Sequence, residues 1–438
     1  MRRIIVLALL FGAMRLIEPL GRAGGAPDAL LTFGFLILVA YAAGELSERF
    51  RQPKLVGYLV AGVLAGPTVL ASVTAEAAAQ LEPVSDLAIA LIAFLAGAEL
   101  DLEEVKRRGL TLLRLTVVEL GIATLALFGA AMAMRQWIPF LADADMQRAI
   151  LFAGLFALIA VMHSPAIVMA ILTETRASGP AARATLAVVL LSEVVVVLLL
   201  GVVQQLLPGA AEPSGGVALI IWEIAGSVPI GIALGVGVAL ALRVVHEDRV
   251  IFALLAALLG QQVAHLLHVE VLITLLVAGF VAVNVARGDD GPELRHAMER
   301  SATPVFVVFF ALAGVAIDVP AAWQLAPVVV PLVLIRIVAL AIGVRLGSGG
   351  LELGAVQRRA LWQGLVAQAG VAIGLVAIVA EAYPEAGASM RALALAIIAV
   401  NGTVGPILFR RGLEAADEKD KGGREAAPST AASDGPTG

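Results

Sequence analysis

Runs of about twenty apolar residues, each nearly free of charge, succeed one another along almost the whole chain. No other feature restricts the fold as much. Inside a bilayer every backbone N–H and C=O needs an internal partner, so runs of this length become helices. Of the 438 residues, 60% are hydrophobic and only 15% charged, where soluble domains carry about a quarter. The sequence predicts an all-α polytopic membrane protein with about 13–14 transmembrane helices. The runs start near Ile4, Ala29, Leu55, Val84, Gly109, Ala149, Ala184, Val217, Val250, Val271, Ala302, Ala321, Ala360 and Leu393. The 44 glycines suit helices that approach closely in lipid. The lack of cysteine excludes disulfides and zinc–thiolate sites. No nucleic-acid patch, no cofactor motif and no nucleophile–base constellation of an enzyme is legible.

Loop charges orient the helices. Alternate loops hold Arg49/Arg51/Lys54, Lys106/Arg107/Arg108, Arg176/Arg183, Arg243/Arg249, Arg287/Arg295/Arg300 and Arg345/Arg358/Arg359, and the intervening loops hold few basic residues. The positive-inside rule puts these clusters and the C-terminus in the cytoplasm, across a cell inner (plasma) membrane. The first segment, behind Met1-Arg2-Arg3, reads either as a retained helix or as a signal peptide. The charged, Gly/Ala-rich tail reads as disordered.

Two charges interrupt the apolar runs. Glu193 sits within Leu186–Leu200 and Arg336 within Ala326–Leu346. A charge at the bilayer centre costs roughly 2.5–3.5 kcal/mol on insertion scales, so such residues mark ion or proton pathways. A carboxylate at that depth holds a proton or a cation, not both, and this competition couples two opposite fluxes. Arg336 reads as its charge partner. An ion pair that merely holds the bundle together is the plainer reading, and Glu119, also within a span, is an alternative partner for Arg336.

The stretch Leu95-Ala-Gly-Ala-Glu-Leu-Asp-Leu102 recurs as Leu312-Ala-Gly-Val-Ala-Ile-Asp-Val319. The neighbouring Gly57–Gly66 and Leu275–Phe280 also pair. By the charge rule the copies have opposite orientation. Five-helix units over Leu55–Leu207 and Val271–Phe409 therefore read as inverted repeats, with a binding site at their interface near the midplane. In each unit the fourth helix is interrupted, by His163-Ser164-Pro165 in the first and by Gln368-Ala369-Gly370 in the second. Proline removes a backbone donor and disfavours helix before it. Broken helices expose carbonyls suited to cations, and kinks satisfied by neighbouring helices are the plainer account. Ser192, the break carbonyls and Gln368 are expected as further oxygen ligands. His163 reads as a pH sensor or as a hydrogen-bonded kink residue. Glu99 and Asp101 end a helix at the cytoplasmic face, as anchors or as the lining of an entrance funnel.

The chain resembles the monovalent cation:proton antiporter superfamily, the sodium/proton exchangers and potassium-efflux antiporters. The resemblance rests on Pro53–Pro67, Phe94–Asp101, Ser164-Pro-Ala-Ile-Val168, Gln368–Leu375 and Asn401–Phe409. It implies two crossed broken helices in a mobile core that moves like an elevator against a dimerising scaffold. It further implies scaffold helices over 28–101 and 249–318, core helices over 109–207 and 321–411, and a linker helix over 216–245, after an N-terminal helix or signal peptide at 1–27 and before a tail at 412–438. The family's carrier pair is Asp-Asp or Asn-Asp, and the matching positions here are Ser192 and Glu193. A basic residue before the second break matches Arg336. The resulting expectation is a homodimeric exchanger of Na+ or K+ for protons in the lipid bilayer, with Glu193 as shared carrier and no bound cofactor. A sodium-coupled organic-anion symporter of related fold, or a transport-degenerate membrane protein, is the alternative.

Overall fold

The computed structural model describes residues 7, 10–12, 29–100, 102–206, 216–244, 249–368, 372, 375–376, 379–380 and 383–417. Asp101, Gly370, most of the first segment and the tail beyond residue 417 lie outside the described residues.

Among the described residues the elements are helices, with no strand. The first repeat comprises α2 (Lys54–Ala65), α3 (Glu82–Ala98), α4 (Leu102–Ala133), the pair α5 (Met146–Val161) and α6 (Pro165–Thr175), and α7 (Pro180–Leu206); α1 (Ala29–Arg49) precedes it. Next come α8 (Gly216–Ala241) and α9 (Arg249–Leu267). The second repeat comprises α10 (Val271–Val285), α11 (Asp290–Val315), α12 (Ala326–Gly347), α13 (Ala355–Leu365) and α14 (Pro384–Ala415). Among the described residues seven spans, with α5 and α6 counted as one, are long and apolar enough to cross a membrane, and α11, bent by 44° at its middle, makes an eighth. Large aliphatic side chains such as Leu110, Leu125, Leu255 and Leu334 face outward, as lipid contact requires. This is a multi-pass membrane protein.

Several boundaries differ from the sequence expectation: α4, α11, α13 and α14 start at Leu102, Asp290, Ala355 and Pro384, ahead of the expected Gly109, Ala302, Ala360 and Leu393. The run expected to start at Ala321 starts at Ala326, because Asp318 accepts a hydrogen bond from the Ala321 amide and caps a separate short helix, Val319–Gln324. The last helix continues past Phe409 to Ala415, and an Arg410–Glu414 pair spans its final turn.

The repeated motifs meet each other at two reciprocal crossings. On α3 and α10, a Cβ at Gly97 would overlap the Leu276 carbonyl, and one at Gly279 would overlap the Phe94 carbonyl. On α2 and α11, a Cβ at Gly62 would overlap the Ala311 carbonyl, and one at Gly314 the Leu59 carbonyl. Each motif glycine thus lies against the other motif of the opposite repeat. Two inverted units joined face to face generate this exchange, and only glycine lets the backbones come so close. The remaining helices cluster separately: α4 lies along α12, and α7 packs on α4, α5 and α13.

The first break has a local cause. Pro165 has no N–H, and residues 162–164 leave helical geometry. Ser164 is extended (φ −119°, ψ 106°), and its hydroxyl accepts from the Ile167 amide at 3.2 Å, starting α6 anew. In the second repeat α13 ends at Leu365 and residues 366–368 are non-helical.

The glycine crossings yield a first prediction. Gly97→Val should lower the melting temperature in detergent sharply, because overpacking costs ~1–3 kcal/mol or more. Gly121→Ala, where a Cβ meets nothing within 4 Å, should leave it level or raise it.

Candidate functional site

Arg336, on α12, is fully buried between the two breaks. Nη1 donates to the Val366 carbonyl at 2.7 Å. Nη2 donates to the Met162 carbonyl at 2.7 Å, and lies 3.2 Å from the Leu365 oxygen and 3.3 Å from that of Val161. These carbonyls belong to the C-terminal ends of α5 and α13, which meet head to head. Each end carries unpaired acceptors and a partial negative charge. One guanidinium fork satisfies both, which explains how a full cation lies in a dry interior.

His163 joins this cluster. Its Nδ1 lies 2.7 Å from the Leu365 oxygen and its Nε2 3.2 Å from Glu119 Oε1. Both side chains are fully buried. A Cβ at Gly343 would strike the Glu119 backbone, so that glycine lets α12 lie directly against α4 at this depth. Gln368 is also inside the crossing. Its Nε2 donates to the Ile159 and Ala160 carbonyls at 3.0 and 3.2 Å, and its Oε1 accepts from Asn401 Nδ2 at 2.9 Å.

Glu193 is elsewhere. It projects from the middle of α7 into a cavity of about 20 Å³, lined also by Ser164 and Pro165 at the head of α6, Ile92 of α3, Leu272 of α10 and Phe309 of α11. That volume is enough for about one water molecule. Glu193 Oε1 is buried without a hydrogen-bond partner. The cavity wall is apolar apart from Ser164 and Glu193 themselves.

This geometry corrects several sequence expectations. Arg336 forms no ion pair with Glu193; it is committed to the break carbonyls, and Glu119 is the carboxylate whose charge acts on it. The break carbonyls of 161–162 and 365–366 are thereby occupied. Ser192 donates to the Val189 carbonyl of its own helix at 2.7 Å, and the Gln368 oxygen is taken by Asn401. Among the described residues none of these oxygens is hydrogen-bonded to Glu193. Sequence reading singled out neither Asn401 as a partner of Gln368 nor Glu270, whose carboxylate accepts from the Ile273 amide at the head of α10. The acid immediately before an apolar run is the cap signal that could have flagged Glu270.

A family profile described as "Sodium/hydrogen exchanger, transmembrane" matches residues 34–411. The chain belongs to this family. Among its relatives, the Na(+)/H(+) antiporter NhaS5 of Synechocystis is 25% identical over 331 residues, which cover 74% of this chain and 44% of that protein. The Na(+)/H(+)-K(+) antiporter GerN of Bacillus cereus is 39% identical over 69 residues, 16% of this chain and 17% of the relative. The matches thus span less than half the length of these relatives. The structure of the sodium proton antiporter MjNhaP1 from Methanocaldococcus jannaschii at pH 8 aligns with a TM-score of 0.66 and 17% identity, over 89% of this chain and 96% of that one. A second structure of the same protein, by electron microscopy, gives 0.68 over 89% and 95%. The fold is that of the sodium/proton antiporters.

In this exchanger-family chain, Glu99 follows the last turn of α3. Arg295 donates to the neighbouring Ala98 carbonyl at 2.9 Å. Burial pushes the Glu99 carboxyl up to about 7, aided by Glu299 and opposed by Arg295.

Two predictions follow from these clusters. Arg336→Ala leaves two helix ends and Glu119 without their cation and should cost ~3–5 kcal/mol, read as a lower melting temperature; Arg336→Lys should recover only part, because an ammonium lacks the fork. Glu99 retains in the folded state a proton that the unfolded chain releases, so stability falls as pH climbs from the usual carboxylate range toward about 7. Glu99→Gln should therefore raise the melting temperature at about pH 8 and leave it unchanged at about pH 4.

Proposed function

We propose that the protein exchanges a monovalent cation, Na+ or K+, for protons, with Glu193 as the shared carrier. The observation that carries this reading is the Glu193 carboxyl itself, buried at a cavity and paired with no cationic side chain among the described residues. An ionised carboxylate left alone in such a place is too costly to persist. It must hold either a proton or an external cation, and releasing one requires taking up the other. Had Arg336 paired with Glu193, the carrier would be neutralised internally and the coupling lost. A single carboxylate favours electroneutral one-for-one exchange.

Family membership and the antiporter fold support the same reading, as do the relatives described as Na(+)/H(+) antiporters. The packing suits an elevator. The cavity lies on a seam, with α3, α10 and α11 on one side and α6 and α7 on the other. We take residues 28–101 and 249–318 as scaffold, 109–207 and 321–411 as the moving core, and 216–245 as the linker, in a homodimer of the inner membrane with a cytoplasmic C-terminus. At the cytoplasmic end Glu174 of α6 bridges Arg410 of α14 and the Lys54 amide of α2, both at 3.0 Å, and Arg410 also donates to the Gln52 carbonyl. Core movement would have to break these ties. An organic-anion cargo finds less support, since Arg336 is occupied by carbonyls and the cavity is small.

The test is collapse of an imposed pH gradient in proteoliposomes. Sodium or potassium should dissipate the gradient with wild type and not with Glu193→Gln, while Glu193→Asp should retain exchange at altered apparent cation affinity. Wild-type inertness toward every monovalent cation, or full activity of Glu193→Gln, would sink the proposal.

A further inference from the structure

The two ring nitrogens of His163 have different neighbours, and their distances fix where protons lie. Nδ1 is 2.7 Å from the Leu365 carbonyl oxygen. A carbonyl only accepts, so a contact that short puts a proton on Nδ1. The competing arrangement protonates Nε2 instead and lets Arg336 Nη2 donate to a bare Nδ1. That contact is 3.4 Å, at the limit of hydrogen bonding, and it would leave two lone pairs facing each other at the shorter distance. With the Nδ1 proton committed to Leu365, Nε2 presents a lone pair to Glu119 Oε1 at 3.2 Å unless a further proton lies between them. The pair is therefore satisfied as imidazolium with carboxylate, or as imidazole with carboxylic acid. Without that proton two acceptors confront each other in a site with no solvent exposure, where unpaired polar groups are most costly.

We propose that His163 and Glu119 together hold a second proton, separate from the one exchanged at Glu193, and that this proton fastens α4 to the crossing of the broken helices. The pair connects three elements: α4 through Glu119, the α5–α6 break through His163, and the end of α13 through Leu365. The charged group that α12 brings is Arg336. From α7 the ionisable group is Glu193, which faces a cavity that neither His163 nor Glu119 lines. Among the described residues, α2, α3, α11 and α14 bring no charged side chain into hydrogen bonding with residues 161–165; Lys54, Glu174 and Arg410 meet at the cytoplasmic end instead. His163 and Glu119 line neither the cavity at Glu193 nor the one beside Gln368, so the second proton is held apart from the ions that pass at Glu193. The inference is independent of which ion Glu193 carries.

Full-length protein with 15N-labelled histidine in lipid tests it directly. Ring-nitrogen shifts are followed across pH, and His163 is assigned by the signal lost in His163→Gln or His163→Asn. The expected result is a ring protonated on Nδ1 at every pH, with a change at Nε2 alone as the shared proton leaves. A neutral Nε2–H tautomer of His163 at any pH would overturn the proposal. A second readout is the melting temperature at one pH. In Glu119→Gln the amide N–H donates to Nε2 in place of the shared proton, so the melting temperature should stay near that of wild type. Glu119→Ala leaves Nε2 without a partner and should melt lower. Equal losses in the two variants would count against a shared proton. Neither measurement depends on transport, so a failed exchange assay and a failed tautomer assignment are distinguishable.

Discussion

Two half-helices end head to head in the membrane, and the guanidinium of Arg336 sits between their terminal carbonyls. Four acceptors and two converging dipole ends would otherwise face one another in a medium without water. The breaks at 162–164 and 366–368, the close approach of α12 to α4 at Gly343, and the buried Glu119 and His163 all surround that one cation. The crossing is an ion pair extended over a network: a charged fork, main-chain dipoles, an imidazole and a carboxylate. Its members share partners, so removal of any one exposes the others.

That arrangement separates two tasks which a single ion pair would merge. Arg336 stabilises the crossing, and Glu193, on the other side of the α6 head, is left without an internal counter-charge. The proposed exchange chemistry depends on this division. Both Nη atoms of Arg336 are taken up by backbone carbonyls. Glu193, the proposed carrier, keeps an unpartnered carboxylate oxygen at a cavity. The repeats share architecture and differ in this respect. The second break carries Gln368, closed off by Asn401 and the α5 carbonyls, and the corresponding small cavity beside it is lined by no carboxylate.

Much of the fold was legible in the sequence because its cause is local. Apolar run length gave the helices, Pro165 gave the first break, and the two LAG motifs gave the inverted repeats. The glycines of those motifs proved to be the points where the repeats touch. The boundary near Ala321 was misplaced because the few apolar residues of a short capped helix, Val319–Gln324, lie directly before the apolar run, and span-length hydropathy blurs the junction between them. Glu193, Arg336, Glu119 and His163 were all visible as polar residues at bilayer depth. Their pairing was not. Four polar groups on four segments admit several pairings, and run length and charge rule fix depth without fixing which helix faces of a bundle meet.

By itself, the sequence determined that the chain crosses the membrane many times, that its halves are inverted copies, and which few polar residues lie inside the bilayer. Each of these follows from the cost of exposing backbone or charge to lipid, which every residue meets alone. The tertiary structure decided that Arg336 serves the helix ends, that Ser192 and Gln368 are already bonded elsewhere, and that Glu193 is left open at a cavity. Those outcomes depend on distances between helices far apart in the chain, and hydrogen bonding is short-ranged enough that an ångström of packing settles which partner is taken.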